Sequence, residues 1–278
     1  MYVVTLAAIL GLLIGSFLNV VVHRVPRGES VVSPPSACPA CGHQIRNRHN
    51  VPVLGWLVLR GRCFDCGEPI SVRYPLVELG TGVAFAVVAL RVSTSSTTWG
   101  SSTTWGSPPA GLTEGGVRLL PAYLAFAAIG IALALIDLDV RRLPDAIVLP
   151  SYPLLGALLL VDLGDGGGHR LLRAGEGGAL LFALFFVVWL VAPAGMGYGD
   201  VKLAGLVGAM TAYLSWGTFL VGSFGGFVLG AVAGILLMIG GRAGRRSAVP
   251  FGPFMILGAW ASILGAGYLG DYYLSLLA

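Results

Sequence analysis

Apolar residues run almost unbroken through eight stretches of the chain, at roughly 2–22, 74–91, 118–136, 146–162, 175–194, 203–221, 223–240 and 252–276. A bilayer core about 30 Å thick needs about twenty such residues in helical form, so each stretch is a candidate membrane crossing. The first run lacks the basic start and small-residue cleavage site of a secretory signal and is read as a retained helix. The pattern predicts an all-α polytopic membrane protein with about eight transmembrane helices. Polar residues gather between the runs, and only 23–73 is long enough to form a soluble module.

Composition supports this reading. With 56% hydrophobic and 11% charged residues and a mean hydropathy of +0.84, the chain is too apolar for a soluble globule of its length. Placing 23–73, 137–145, 195–202 and 241–251 in the cytosol puts there all of the 17 Lys and Arg residues except Arg91, Arg118, Arg170 and Arg173. The positive-inside preference therefore predicts an outside amino terminus. The net charge of +4 is accounted for by this asymmetry. No basic stripe interleaved with aromatics calls for a nucleic-acid partner.

The module at 23–73 holds all four cysteines, as Cys38-Pro-Ala-Cys41 and Cys63-Phe-Asp-Cys66, each pair followed by glycine (Gly42, Gly67). Two such knuckles suit a structural zinc bound by four thiolates, with redox-active or simply reduced cysteines as the alternatives. A reducing cytosol disfavours disulfides. The module has few apolar side chains, so a metal would supply folding energy that its core cannot. The expectation is a small cytosolic zinc-ribbon-like module after the first helix. On the outer side, 92–117 carries a duplicated Ser-Ser-Thr-Thr-Trp-Gly at 95–100 and 101–106. It reads as low-complexity loop expansion, although Trp99 and Trp105 could touch the membrane interface. Gly226, Gly230 and Gly234 recur every fourth residue and read as helix packing.

Carboxylates near lipid need a reason, and two stand at the ends of inward-running helices. Asp137 lies in Ile-Asp-Leu-Asp-Val-Arg-Arg-Leu-Pro, and Asp200 follows the alternating glycines Gly195, Gly197 and Gly199. By parity the third and fifth helices both run inward, so both acids reach the cytosolic side. For Asp137 and Asp139 an ordinary solvated charge is the plain alternative, and being two apart on a helix they face different ways. Gly197 and Gly199 would remove side-chain bulk beside Asp200, so that a substrate strand could lie against bare backbone. Two such acids can share a proton and activate water against a peptide carbonyl. The rival from another class is a small zinc-containing transporter with paired intramembrane acids, but the internal repeats usual in such transporters are lacking.

Taken together, these motifs resemble the type IV prepilin peptidase family, whose members carry a Gly-x-Gly-Asp motif. The resemblance runs through Gly15-Ser-Phe-Leu-Asn-Val-Val-Val-His-Arg-Val-Pro26, the four cysteines, Asn50-Val-Pro-Val-Leu-Gly-Trp56, Leu59-Arg-Gly-Arg62 and Arg73-Tyr-Pro-Leu-Val-Glu78. It continues through Asp137 with Pro144, Gly197-Tyr-Gly-Asp200-Val-Lys-Leu203 and Val249-Pro-Phe-Gly-Pro253. It implies a bacterial inner-membrane enzyme with Asp137 and Asp200 as catalytic acids. Its partners would be prepilin or pseudopilin precursors with a basic leader and a hydrophobic amino-terminal helix. The resemblance further implies N-methylation of the new amino terminus with S-adenosylmethionine. Glu78 would then be either an ion-pair partner of Arg73 or a contact to the methyl donor. The expected division is 1–22 as the first transmembrane helix, 23–73 as the cysteine module and 74–278 as the peptidase domain.

Overall fold

Leucine, valine, isoleucine, alanine and phenylalanine fill the long runs, and where lipid offers no hydrogen bonds only a helix satisfies every backbone group within its own segment. The computed structural model describes residues 1–95, 116–163, 167–193, 196–240 and 250–277. Gly195, most of 241–251 and the duplicated hexapeptide apart from Ser95, including Trp99 and Trp105, lie outside the described residues. The long helices are α1 (Tyr2–Arg24), α3 (Arg73–Ser95), α4 (Leu120–Val140), α5 (Asp145–Leu159), α6 (Gly168–Val191), α7 (Tyr198–Leu214) and α8 (Trp216–Ile239). The last run forms α9 (Gly252–Ala261) and α10 (Gly267–Ser275), joined by a π-helical segment at Ser262–Ala266 in which Gly265 takes φ 152°. A short α2 (Leu54–Val58) lies in the polar module. Among the described residues no strand forms, only two isolated bridges.

Among the described residues, seven segments are long and apolar enough to cross a membrane. The eighth expected crossing, 203–221, is instead divided. Ser215 is extended and caps α8, its Oγ accepting the Thr218 amide at 2.9 Å, so α7 ends at Leu214 with 17 residues. At about 1.5 Å per residue, 17 residues are at the lower limit for a crossing. α7 also starts earlier than the apolar run, at Tyr198, which takes Asp200 into its first turn.

The chain divides into two compact units, Met1–Leu90 and Arg91–Ala278. In the first, α1 and α3 meet through glycines four apart. A Cβ on Gly11 would come within 2.7 Å of the Thr81 carbonyl oxygen, and one on Gly15 within 2.7 Å of Glu78 Cα. Small residues at this spacing let helices in lipid approach until backbone touches backbone. Asn19 Nδ2 also donates to the Tyr74 carbonyl at 3.2 Å.

In the second unit α7 is the buried element, with every residue from Leu203 to Leu214 except Ala209 out of contact with the surroundings. It crosses α6 at a glycine seam. A Cβ on Gly208 would meet the Gly177 carbonyl oxygen at 2.4 Å, and one on Gly178 would meet the Gly205 carbonyl oxygen at 3.0 Å. The far end of α7 is fastened by polar groups. Arg173 donates to the carbonyls of Ala212, Tyr213 and Leu214, the groups a helix end leaves unpaired. Arg170 pairs with the buried Asp162 at 2.8 Å, and the Tyr213 hydroxyl donates to the same carboxylate. Arg91 donates to the Leu264 carbonyl beside the kink at Gly265. Of the four basic residues assigned to the outer side, Arg173 and Arg91 thus bind a helix end and a helix break, and Arg170 pairs with a buried carboxylate. Of the glycines read as packing in α8, a Cβ added to Gly226 would meet Met255 Cα at 2.9 Å, one on Gly230 would make ordinary contact with Phe251, and one on Gly234 would face open space.

Gly208→Val therefore forces α6 and α7 apart and destabilises the detergent-solubilised protein by about 1–3 kcal/mol or more, as overpacking does. Gly234→Ala leaves stability unchanged or slightly raised, because helix propensity improves and nothing is displaced. Thermal unfolding of the two variants beside the parent protein measures the contrast.

Candidate active site

α4 continues one turn past its apolar run and closes at Arg141, which takes a left-handed conformation (φ 52°) and donates its amide to the Asp137 carbonyl at 2.9 Å. This carries Asp137 on the helix, 6% exposed, while Asp139 two residues on is exposed. The Asp137 carboxylate lies at the amino terminus of α9, where Oδ2 accepts the Gly252 amide at 3.1 Å. An unpaired helix amide is a natural partner for an anion. A Cβ on Gly252 would fall 2.8 Å from that same oxygen and 3.6 Å from Leu203 Cδ2 of α7, so glycine is what allows the three elements to converge. Gly252 was not singled out from sequence as a site residue. Its signal was the Gly-Pro pair, which places proline near a helix start.

Asp200 is the third residue of α7. Its Oδ2 accepts the amide of Gly197, the residue that caps the helix, at 3.2 Å, which is one half of a capping box. The other oxygen, Oδ1, is buried and has no hydrogen-bond partner among the described residues. The two acids lie close enough for the charge of Asp137 to act on Asp200. Each carboxylate is thus held by one backbone amide, and the two fields overlap.

Gly199 stands against the α4–α5 connection. The place of its missing side chain is filled by Leu143, whose Cβ would lie 2.9 Å from an added methyl group, so glycine is what lets the first turn of α7 pack against that connection. A Cβ on Gly197 would stand 3.4 Å from Asp200 Oδ2 and 4.0 Å from the Gly199 amide nitrogen. The loop is further tied down by Lys202, which pairs with Asp145 at 2.5 Å, and by the Tyr152 hydroxyl, which donates to the Lys202 carbonyl at 2.6 Å.

The four cysteines converge in the first unit. Both knuckles fold alike: Cys38 and Cys63 donate their amides to His43 and Glu68 carbonyls, while Gly42 and Gly67, at φ 72° and 74°, donate back to Cys38 and Cys63 carbonyls. A small antiparallel bridge flanks each, at Ala37–Gln44 and Arg62–Pro69. The sulfurs lie within 4.8 Å of one another, and Cys38 Sγ is 3.8 Å from Cys66 Sγ. A tetrahedron of Zn–S bonds about 2.3 Å long has edges of about 3.8 Å, so the set fits zinc. The amides of Cys41 and Ala40 lower the Cys38 thiol to about 7. The Glu68 amide favours the Cys66 thiolate, but desolvation and the neighbouring thiols outweigh it and push Cys66 up to about 12. Thiolates gathered at this spacing repel one another, and a divalent ion among them supplies the compensating positive charge.

Glu78 is buried in α3, and its Oε2 accepts the Val53 amide at 2.7 Å. Its observed role is to hold the start of α2. Arg73 is exposed at the head of α3.

Both halves of this arrangement find counterparts in known proteins. A profile described as the bacterial peptidase A24 N-terminal domain matches residues 9–92, which include the cysteines. The type IV leader peptidase family matches residues 124–239, which include both acids. A Pseudomonas putida protein named prepilin leader peptidase/N-methyltransferase is 37% identical over 95% of this chain and 91% of its own length. Proteins of the same name from Aeromonas hydrophila and Pseudomonas aeruginosa are 34% and 33% identical, over 98% and 96% of this chain and 93% and 91% of theirs. No solved structure matches the chain. With relatives aligned over nearly the whole sequence and its two acids and four cysteines falling in the two matched regions, the chain belongs to the type IV leader peptidase family.

Proposed function

We propose that this protein is a membrane aspartyl endopeptidase that cleaves leader peptides from type IV prepilin-like precursors and methylates the new amino terminus. The observation that carries the peptidase reading is the pair of carboxylates on α4 and α7, each fixed by one backbone amide and within reach of the other's charge. Like charges so placed favour a state in which the pair holds one proton. The ionised acid takes a proton from water as the water oxygen bonds to the scissile carbonyl carbon. The protonated acid hydrogen-bonds the carbonyl oxygen. As the tetrahedral adduct collapses, the C–N bond breaks and the leaving amine takes a proton from the pair. Asp200 Oδ1, buried without a partner, is the oxygen best disposed to meet the water.

The precursors would present a basic leader and a hydrophobic helix, the latter entering laterally from lipid. In the proposed placement, in a bacterial inner membrane, the acids and the cysteine module face the cytosol, as the distribution of Lys and Arg favours. Segment 1–22 then anchors the module at 23–73, and 74–278 carries the peptidase chemistry. Cys38, Cys41, Cys63 and Cys66 would hold a structural zinc that shapes the module. S-adenosylmethionine would supply the methyl group when bound. Glu78, whose Oε2 accepts the Val53 amide, and Arg73 at the head of α3 are assigned a structural role in the module. The transporter alternative is not favoured, because relatives aligned over nearly the whole chain carry a peptidase name.

Asp137→Asn and Asp200→Asn each lower precursor cleavage by at least about 10²-fold, the scale of a lost acid–base partner, while insertion into the membrane is retained. Asp139→Asn, at an exposed position, is milder. Processing at near-parental rate by purified Asp200→Asn protein excludes the pair. Gly252→Ala pushes the Asp137 carboxylate off the α9 amide and lowers kcat more than it raises KM.

Metal analysis of protein purified under reducing conditions gives about one zinc per chain, as a single four-thiolate site requires. Cys38→Ser with Cys63→Ser lowers that content. Mass spectrometry of processed pilin then separates the two activities: the parent yields a product heavier by one methyl group, and the cysteine variant yields cleaved, unmethylated product. Equal methylation by both sinks the assignment of methyl transfer to 23–73.

A further inference from the structure

α2 presents its side chains the wrong way round for a helix in water. Leu54, Leu57 and Val58 are 59%, 55% and 77% exposed, and Val51 just before them is 44% exposed. The amphipathic aromatic of the same helix, Trp56, instead turns inward, donating Nε1 to the Ile70 carbonyl at 3.0 Å and covering the Gly61 turn. Arg60 and Arg62 follow immediately and are exposed. A contiguous apolar patch edged by arginines marks a surface made for something other than water.

Its depth identifies the occupant. The residue that caps α2, Val53, donates its amide to Glu78, and Glu78 is the sixth residue of the membrane-crossing segment Arg73–Ser93. Five residues of helix rise about 7.5 Å, and the headgroup layer on each side of the hydrocarbon is about 5–7 Å deep. With Arg73, the first residue of that segment, taken as the outer edge of the headgroups, the bond places α2 at the boundary between headgroups and acyl chains. Val53 itself, a β-branched residue, stands at φ 61°, a conformation such residues avoid unless their surroundings impose it.

We propose that α2 is a membrane-interface foot: Val51, Leu54, Leu57 and Val58 enter the headgroup–acyl boundary of the bilayer, while Arg60 and Arg62 reach lipid phosphates. The cysteine module is then seated on the membrane by three supports, α1, α3 and α2. Glu78 transmits the position of α3 to α2, and the apolar side chains that a soluble module would bury find lipid instead. This is the arrangement of short interfacial helices, whose apolar face sits a few ångströms into the boundary and whose basic residues lie above it.

The test uses the full-length protein in vesicles of phosphatidylethanolamine and phosphatidylglycerol, without precursor. Photoreactive benzoylphenylalanine replaces Leu57 or Val58, and Phe64 serves as control because it is 54% exposed but lies on the second cysteine knuckle beside Arg46. Lipid adducts form the main product at Leu57 and Val58 and exceed those at Phe64 severalfold. Protein adducts as the main product at both positions, or lipid adducts no more frequent than at Phe64, overturn the proposal. Hydroxyl-radical footprinting of the unsubstituted protein in the same vesicles guards against misfolding of the substituted chains. Leu57 is oxidised severalfold less than Phe64 after correction for intrinsic reactivity, despite equal exposure in the protein alone. Protection that appears only when a precursor is added assigns the patch to substrate and likewise overturns it.

Discussion

Contact between bare backbones at the α6–α7 crossing is what the second unit rests on. A Cβ on Gly178 would meet the Gly205 carbonyl and one on Gly208 the Gly177 carbonyl, and small side chains such as Ala209 and Ala212 fill the rest of the seam, so α7 comes close enough to be enclosed by α6, α8 and the α5 tyrosine Tyr152, whose hydroxyl lies 2.3 Å from where a Cβ of Gly205 would be. In lipid the hydrophobic effect gives helices little reason to associate. Dispersion at short range and hydrogen bonds must do it, and both depend steeply on distance. An enclosed α7 brings its first turn, with Asp200, next to α4 and Asp137.

The polar groups divide between the two ends of α7 according to what each end leaves unpaired. The carboxyl-terminal carbonyls take Arg173, with Asp162, Arg170 and Tyr213 forming a buried pair and hydrogen bond alongside. The amino-terminal amides take a carboxylate, and so does the start of α9. Each acid is therefore satisfied on one oxygen by a helix terminus, which costs no further charge and leaves the other oxygen for chemistry. The glycines around the acids are close-packed, at Gly199 against Leu143 and at Gly252 against Asp137 itself. Their role is to let carboxylates and backbone converge.

The first unit solves a different problem, a polar module with little core. Its two knuckles repeat one set of backbone bonds around four sulfurs, its one short helix turns apolar residues outward, and a buried glutamate ties that helix to α3. A metal and a membrane surface are the two external sources of free energy suited to such a module.

Read by itself, the sequence determined the all-helical membrane architecture, because runs of about twenty apolar residues have one solution in a bilayer. It also determined the cysteine cluster, since Cys-x-x-Cys-Gly builds its own turn through a local positive φ at Gly42 and Gly67. The acids stood out because charge is rare in such runs, and the family motifs around them extended over most of the chain. What only tertiary structure decided were matters of distance between segments remote in sequence: the 115-residue separation bridged by Gly252 and Asp137, the tie between Val53 and Glu78, and the burial that makes α7 a short central helix. Hydropathy averages along the chain and could not see that Ser215 breaks an apolar run, nor that Gly199 makes room for Leu143 and Gly234 for nothing. Local pattern reports what a segment needs, and only packing reports which neighbour supplies it.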